Sequence, residues 1–404
     1  MENVKEKFLR YVSFDTESAE SDFVPSTEKQ FDLARQLRDE LISMGAENVR
    51  LDEEHAYVYA FLPATDECRG KTLGFIAHMD TSPAMSGKDI RPRSVKNYDG
   101  NDICLNGEKQ IWMRTKDFPE LKKHMGKELI VTDGTTLLGA DDKAGVAEIM
   151  CMAEYLLAHP EIRHRRIAIA FTPDEEVGRG PDFFDIPGFS AEAAYTVDGG
   201  AFGEIEYETF NASFARVTVN GVSVHPGDAK NKMINSIRVA AELDALLPEE
   251  ERPEHTEGYE GFYHLDSVCG GVERTVADYI LRDHDREKLE KKKKFFTECC
   301  NFLNSKYGEG TVSAEISDTY YNMKDVLVNH MDLVDNACQA LRELGIEPST
   351  PPVRGGTDGS QLSYKGLPCP NLCTGGYNYH GKFEYAVTEE MEASVQLLIK
   401  LATR

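Results

Sequence analysis

Five polar clusters, each closing an apolar run, constrain this chain more than any other feature. They are His78-Met79-Asp80 at the end of LGFIAH, Asp141-Asp142 after TTLLGA, Asp174-Glu175-Glu176 after RRIAIAFTP, Asp198 after AAYTV, and Tyr379-His380 after LPCPNLCTGG. Read as strands, the five runs bring their polar ends to the carboxyl edge of one sheet, where open α/β sheets place their active sites. One histidine or one acidic pair would carry little weight. Five clusters with the same layout imply a common centre, and His380, so near the end of the chain, must fold back to reach His78.

At 404 residues the chain exceeds one ordinary core, which favours two domains or one domain with an insertion. Helical patterns such as KQFDLARQLRDELISMG and AGVAEIMCMAEYLLAHP alternate with short strands up to about residue 207, predicting a mixed or mainly parallel sheet covered by helices. Near Phe210 the order changes. SFARVTVNG, NSIRVAAELDALLP, GFYHLDSVCGG, ERTVADYILRDHD, DREKLEKKKKFFTECCNFLNSKYG and TVSAEISDTYYNM read in turn as β-α-β-β-α-β, the ferredoxin-like order. The expected architecture is therefore α/β. Residues 1–209 and 323–404 form a discontinuous catalytic domain, and residues 210–322 form an inserted domain.

Seventy acidic against 45 basic side chains leave a net charge of -25, which repels a phosphate backbone and argues against nucleic acid as a partner. The Lys291–Lys294 run reads as a solvated helix face. Nine cysteines without a CxxC pair fit reduced thiols. The charged N-terminus lacks an apolar h-region, and no run of 18 apolar residues occurs, so the expectation is a cytoplasmic protein without a membrane segment.

The clusters suit a pair of metal ions. In His78-Met79-Asp80 the side chains at i and i+2 share a strand face, so Asp80 can orient the His78 ring while the other nitrogen meets metal. Asp141 has two oxygens with which to bridge ions about 3.5–4 Å apart. An Asp there could equally cap the following helix, a role that better suits Asp142. Glu175 and Glu176 repel one another if buried unpaired; metal compensates, with one as ligand and the other as general base. Asp198 and His380 complete a set of five ligands that leaves a coordination position open to water, as catalytic rather than structural zinc requires. GxSxG, Walker A and strand-linked GxGxxG patterns are absent.

These residues resemble the co-catalytic zinc exopeptidases and amidases, the family of the carboxypeptidase G-type enzymes and succinyl-diaminopimelate desuccinylase, with the tripeptide aminopeptidases most similar. The resemblance runs through GFIAHMDTSPAMSGKDI, TDGTTLLGADDKAGVAEIM, AFTPDEEVGRG, YTVDGG, VHPGDAKNKMIN, TEGYEGFYHL, RGGTDGSQLSYKGLPCPNL and TGGYNYHGKFEY, nearly the whole chain. It implies two zinc ions, with His78 and Asp198 on one, Glu176 and His380 on the other, and Asp141 between them. It implies Glu175 as general base, Asp80 as the orienter of His78, and a cis peptide between Asp141 and Asp142. The inserted domain becomes a lid and dimerisation platform. His225 of VHPG becomes an oxyanion donor that a homodimer can supply from the partner subunit, and Arg282, Asn322 and Arg354 become substrate-binding groups.

The resulting expectation is a dizinc aminopeptidase that releases the N-terminal residue of tripeptides with a free amine. The alternative is a related dizinc dipeptidase or acyl-amino-acid amidohydrolase. A catalytically dead metal- or peptide-binding protein is opposed by the complete ligand set and the intact Glu175.

Overall fold

The structure, a computed structural model, describes residues 2–65 and 70–404. It divides into two units. One comprises the chain up to Tyr207 with Val326–Thr350 and Thr357–Arg404; the other comprises Glu208–Asp325 with Pro351–Gly356. The joins fall two to three residues from those read in the sequence, and the six-residue return at 351–356 was not anticipated. Backbone pairing puts it there: Val353 N donates to the Glu208 carbonyl at 2.9 Å and Phe210 N to the Gly355 carbonyl at 3.2 Å.

The first unit is built on a seven-stranded sheet in the order Glu47–Leu51, Val58–Leu62, Ile167–Thr172, Leu73–His78, Ala193–Gly199, Asn371–Cys373, Ile205–Glu206. The middle four strands are parallel, and the outer pairings are antiparallel. Leu73–His78 and Ile167–Thr172 are buried at every position, as expected for parallel strands covered on both faces. Their common direction carries His78, the Glu175-Glu176 turn and Asp198 to one edge. Among the covering helices, Gln30–Met44 stops at Gly45, whose φ of 88° supplies the left-handed residue that ends a helix without Cβ strain.

Helix Ala140–Ala158 follows an irregular segment at 132–139, not the strand that TTLLGA suggested. Gly134 and Gly139, with φ of 72° and 77°, turn the chain out of extended geometry. The Thr132 hydroxyl then accepts from Gly134 N at 3.0 Å and donates to the Thr136 carbonyl at 3.2 Å. The helix also approaches the sheet closely. A Cβ on Gly145 would overlap the Val197 carbonyl oxygen and the Asp142 carboxylate.

The C-terminal segment joins this unit through two sheets. Asn371–Cys373 pairs in parallel with Ala193–Gly199. Gly376–Tyr377 and Tyr385–Val387 form a hairpin that continues onto Leu129–Val131 and Arg93–Val95. Leu129, Val131, Tyr385, Val387, Leu105 and Met113 pack beneath it, and its loop carries His380.

In the second unit, strand Asn211–Asn220, helix Ser236–Leu246, strands Phe262–Gly270 and Arg274–Asp283, helix Arg286–Tyr307 and strand Val312–Tyr320 follow one another in the ferredoxin-like order. Their sheet is antiparallel throughout, with Arg274–Asp283 and Asn211–Asn220 at its centre. Val217, Val219, Ala277 and Tyr279 from the sheet pack with Val239, Leu243, Leu289, Phe296 and Leu303 from the two helices. Asn235 and Asp285 cap those helices through their side chains. Among the described residues no helix is long and apolar enough to cross a membrane, and the eight described cysteines are unpaired; Cys68 lies outside the described residues.

Candidate metal centre

Each ligand candidate is delivered by a different element of the first unit. His78 is the last residue of its strand, and Glu175 and Glu176 open a short turn just after Ile167–Thr172. Asp198 lies in Ala193–Gly199, Asp141 in the first turn before the regular helix begins, and His380 in the hairpin loop. The Asp141–Asp142 peptide is cis.

The geometry centres on Asp141. Its Oδ1 lies 2.8 Å from His78 Nε2 and its Oδ2 lies 3.0 Å from His380 Nε2. His78 Nε2 is also 3.6 Å from Asp198 Oδ1, and His380 Nε2 is 2.9 Å from Glu176 Oε2. Donor atoms of His78, Glu175 and Asp198 cluster within 4.8 Å of one another, as do those of His78, Asp141 and Glu176. In a tetrahedral zinc site with bonds of about 2.0–2.2 Å, neighbouring ligand atoms stand roughly 3.3–3.6 Å apart, so the spacing fits metal after small adjustments. Glu176 adds a second sign of fit, because its Oε1 is buried with no hydrogen-bond partner among the described residues.

Protonation follows from burial and crowding. Burial, then the neighbouring Asp141, pushes the Glu176 carboxyl up to about 8. Burial raises Asp198 to about 6, with His78 opposing. Burial followed by the charge of Asp198 lifts Glu175 well above the ordinary carboxyl range. Hydrogen bonds to Asp141 and Glu176 hold the His380 imidazolium up to about 11. Such a cluster needs bound protons or bound cations, and its mixture of imidazole and carboxylate donors suits divalent metal.

Supporting contacts lock the donors. His78 Nδ1 lies 3.1 Å from the Asp80 carbonyl and 3.2 Å from Asp80 Oδ1, leaving Nε2 to face Asp141 and Asp198. Asp80 has a further task that the sequence did not reveal: its carboxylate accepts from Glu175 N at 3.0 Å and Glu176 N at 3.2 Å. Asp142 accepts from His78 N and, in the manner of a cap, from Gly145 N, each at 3.2 Å. Asp174, in the left-handed region at φ 55°, accepts from Gln30 Nε2 at 2.7 Å and Ser26 N at 2.6 Å, tying down the turn that carries the two glutamates. Gln30 lies in an ordinary helical pattern, so only the folded contact reveals its part.

The remaining candidates lie in the second unit. His225 is exposed, and its Nδ1 accepts from Gly227 N at 3.1 Å, which places the ring proton on Nε2. Arg282 lies 5.9 Å from the Phe262 and Tyr320 ring centres and donates to the Arg354 carbonyl at 3.2 Å. Arg354 donates to the Gly258 and Glu260 carbonyls and to Thr256 Oγ1, at 3.0, 2.7 and 2.7 Å. Asn322 is buried. Its Oδ1 accepts from Thr209 N and Lys324 N, each at 3.0 Å, and its Nδ2 donates to the His284 carbonyl at 3.1 Å. Its amide thus makes at least three bonds to the unit's own backbone.

Comparison with known proteins adds three likenesses. Residues 207–308 match the family profile of a peptidase dimerisation domain of the M20 class. The chain is 56% identical over 402 residues to the peptidase T of Clostridium novyi, covering 99% of this chain and 98% of that protein. Its fold is similar to the crystal structures of an aminopeptidase PepT from Bacillus cereus and a tripeptidase from Staphylococcus aureus. The TM-scores are 0.77 and 0.79 at 24% and 20% identity, each over 99% of this chain and 97% of the other.

Proposed function

The chain belongs to the peptidase T family, the tripeptide aminopeptidases among the M20 metallopeptidases, and we propose that it removes the N-terminal residue of tripeptides at a centre of two zinc ions. One observation carries the reading: the two oxygens of Asp141 face two different imidazoles, at 2.8 and 3.0 Å. His78 and Asp198 would hold one ion, Glu176 and His380 the other, and Asp141 both. When bound, the ions supply Lewis acidity to the scissile carbonyl and acidify the attacking water.

The protein's own groups do the rest. Glu175, clustered with His78 and Asp198, is the proposed general base that takes the proton of the attacking water and delivers it to the leaving amine. Asp80 fixes the His78 ring and the backbone of the glutamate turn together. His225, with its proton on Nε2, is the proposed donor to the developing oxyanion, supplied from the partner subunit of a homodimer. Arg282, Asn322 and Arg354 are the proposed substrate-binding groups, the two arginines offering positive charge to the peptide's C-terminal carboxylate. The enzyme is assigned to the cytoplasm.

A matched series of di-, tri- and tetra-alanine and N-acetyl-tri-alanine, given to zinc-loaded and chelated protein, tests the reading. The expected result is zinc-dependent release of free alanine from unblocked tri-alanine. Preference for the dipeptide or the acetylated peptide would instead indicate a dipeptidase or an acyl-amino-acid amidohydrolase on the same metal site.

A further inference from the structure

We infer that Glu384 is a positioning residue for Asp141: it locks the loop that presents this carboxylate to the chain segment that brings His380. The inference rests on the two-metal reading of the centre. Glu384 is 1% exposed and lies four residues beyond His380, where the hairpin loop returns to strand Tyr385–Val387. Its Oε2 accepts from Leu138 N at 2.6 Å and Gly139 N at 2.9 Å, and its Oε1 accepts from Asp141 N at 3.1 Å. A single side chain thus satisfies three backbone donors, those of Leu138, Gly139 and Asp141, in the irregular segment and the first turn it leads into.

Local sequence provides no substitute. Asp141 and Asp142 are not helical in φ and ψ, and Asp142 caps the regular helix that follows through Gly145 N, a bond that does not involve the N–H groups of Leu138, Gly139 and Asp141. Buried backbone N–H groups outside a regular element must find a partner elsewhere. Here the partner comes from a residue about 240 positions later. The same carboxylate therefore sets two things at once, the direction of the Asp141 side chain and the distance between Asp141 and the His380 loop. That distance is the 3.0 Å contact from Asp141 Oδ2 to His380 Nε2, one side of the second metal position.

The requirement for two acceptor oxygens gives the inference a sharp test. Gln has the volume of Glu but one acceptor oxygen, and its NH2 group would face an N–H. Asp keeps both oxygens and is one methylene shorter. Metal-free wild-type, Glu384→Gln and Glu384→Asp proteins are titrated with Zn2+, and kcat and KM are measured on tri-alanine. In the Gln variant the weaker zinc should bind about 10–100-fold less tightly, the usual cost of losing a group that orients a ligand. Its kcat should fall by a similar factor while KM stays within about twofold, and Asp should recover part of both losses. A role confined to folding would instead lower the melting temperature of the metal-free variants without this split between kcat and KM. Should the Gln variant fail to fold, the Asp variant carries the test through its intermediate zinc affinity.

Wild-type zinc affinity and kcat in the Gln variant would overturn the assignment of Glu384, as would an Asp variant no better than Gln. Wild-type protein that takes up fewer than two ions would overturn the two-metal reading itself.

Discussion

Glu175 and Glu176 are neighbours with the same side chain, and the fold gives them different work. Glu176 turns an oxygen to His380 at 2.9 Å, whereas Glu175 sits in the cluster with His78 and Asp198, lifted by burial and by the Asp198 charge. Replacing Glu175 with Gln keeps the shape and removes the base. The expected outcome is a fall in kcat on the order of 10²–10⁴ with two zinc ions still bound, checked by steady-state rates beside metal analysis. Near-normal turnover would remove Glu175 from the mechanism. The ligand candidates were legible because each ends an apolar run and because His and Asp two apart share a strand face. Glu384 was not, since GKFEY has no spacing that announces three amide partners far away in sequence.

The start of helix Ala140–Ala158 is where sequence and packing are most tightly coupled. Gly145 lets the helix lie against the strand that ends in Asp198, and a methyl group there has no room beside the Val197 carbonyl. Gly145→Ala should therefore destabilise the protein by about 1–3 kcal/mol, the usual cost of overpacking a filled site. It should also weaken zinc binding, because it pushes Asp141 and Asp198 apart. Gly271→Ala, where an added Cβ meets open space, serves as the control and should stay within about 0.5 kcal/mol. Equal melting temperatures for the two variants would refute the packing argument. Periodicity made this helix and the β-α-β-β-α-β order readable. It misled at 132–139, where an apolar run resembled a strand and two left-handed glycines decided otherwise. It could not reach 351–356, whose place in the second unit depends on backbone bonds to Glu208 and Phe210.

For the whole molecule, the cost of gathering so many acids in one interior should appear as a pH-dependent hold of metal over stability. Glu176 moves from an ordinary value of 4.5 up to about 8, and Asp198 from 3.8 up to about 6. A carboxyl raised on folding contributes stability that is complete below its unfolded value and is lost as pH rises through its folded value. His380, raised from 6.5 to about 11, loses its contribution in the same direction, starting above pH 6.5. Asp141 is lowered, so its contribution is present above 3.8 and stays constant from pH 5 upward. The sum for metal-free protein is a decline in stability between pH 5 and pH 8. Zinc acts oppositely, because deprotonated carboxylates and imidazoles bind it better and its binding releases protons. The rise in melting temperature on adding zinc to chelated protein should therefore grow steadily from pH 5 to pH 8. Glu148, raised by burial, has neither carboxyl oxygen hydrogen-bonded and does not join the clustered donors among the described residues, so it leaves a residual slope in the loaded protein. A zinc-induced shift that is flat or shrinks over this range would mean that these carboxylates are not the groups that meet the metal.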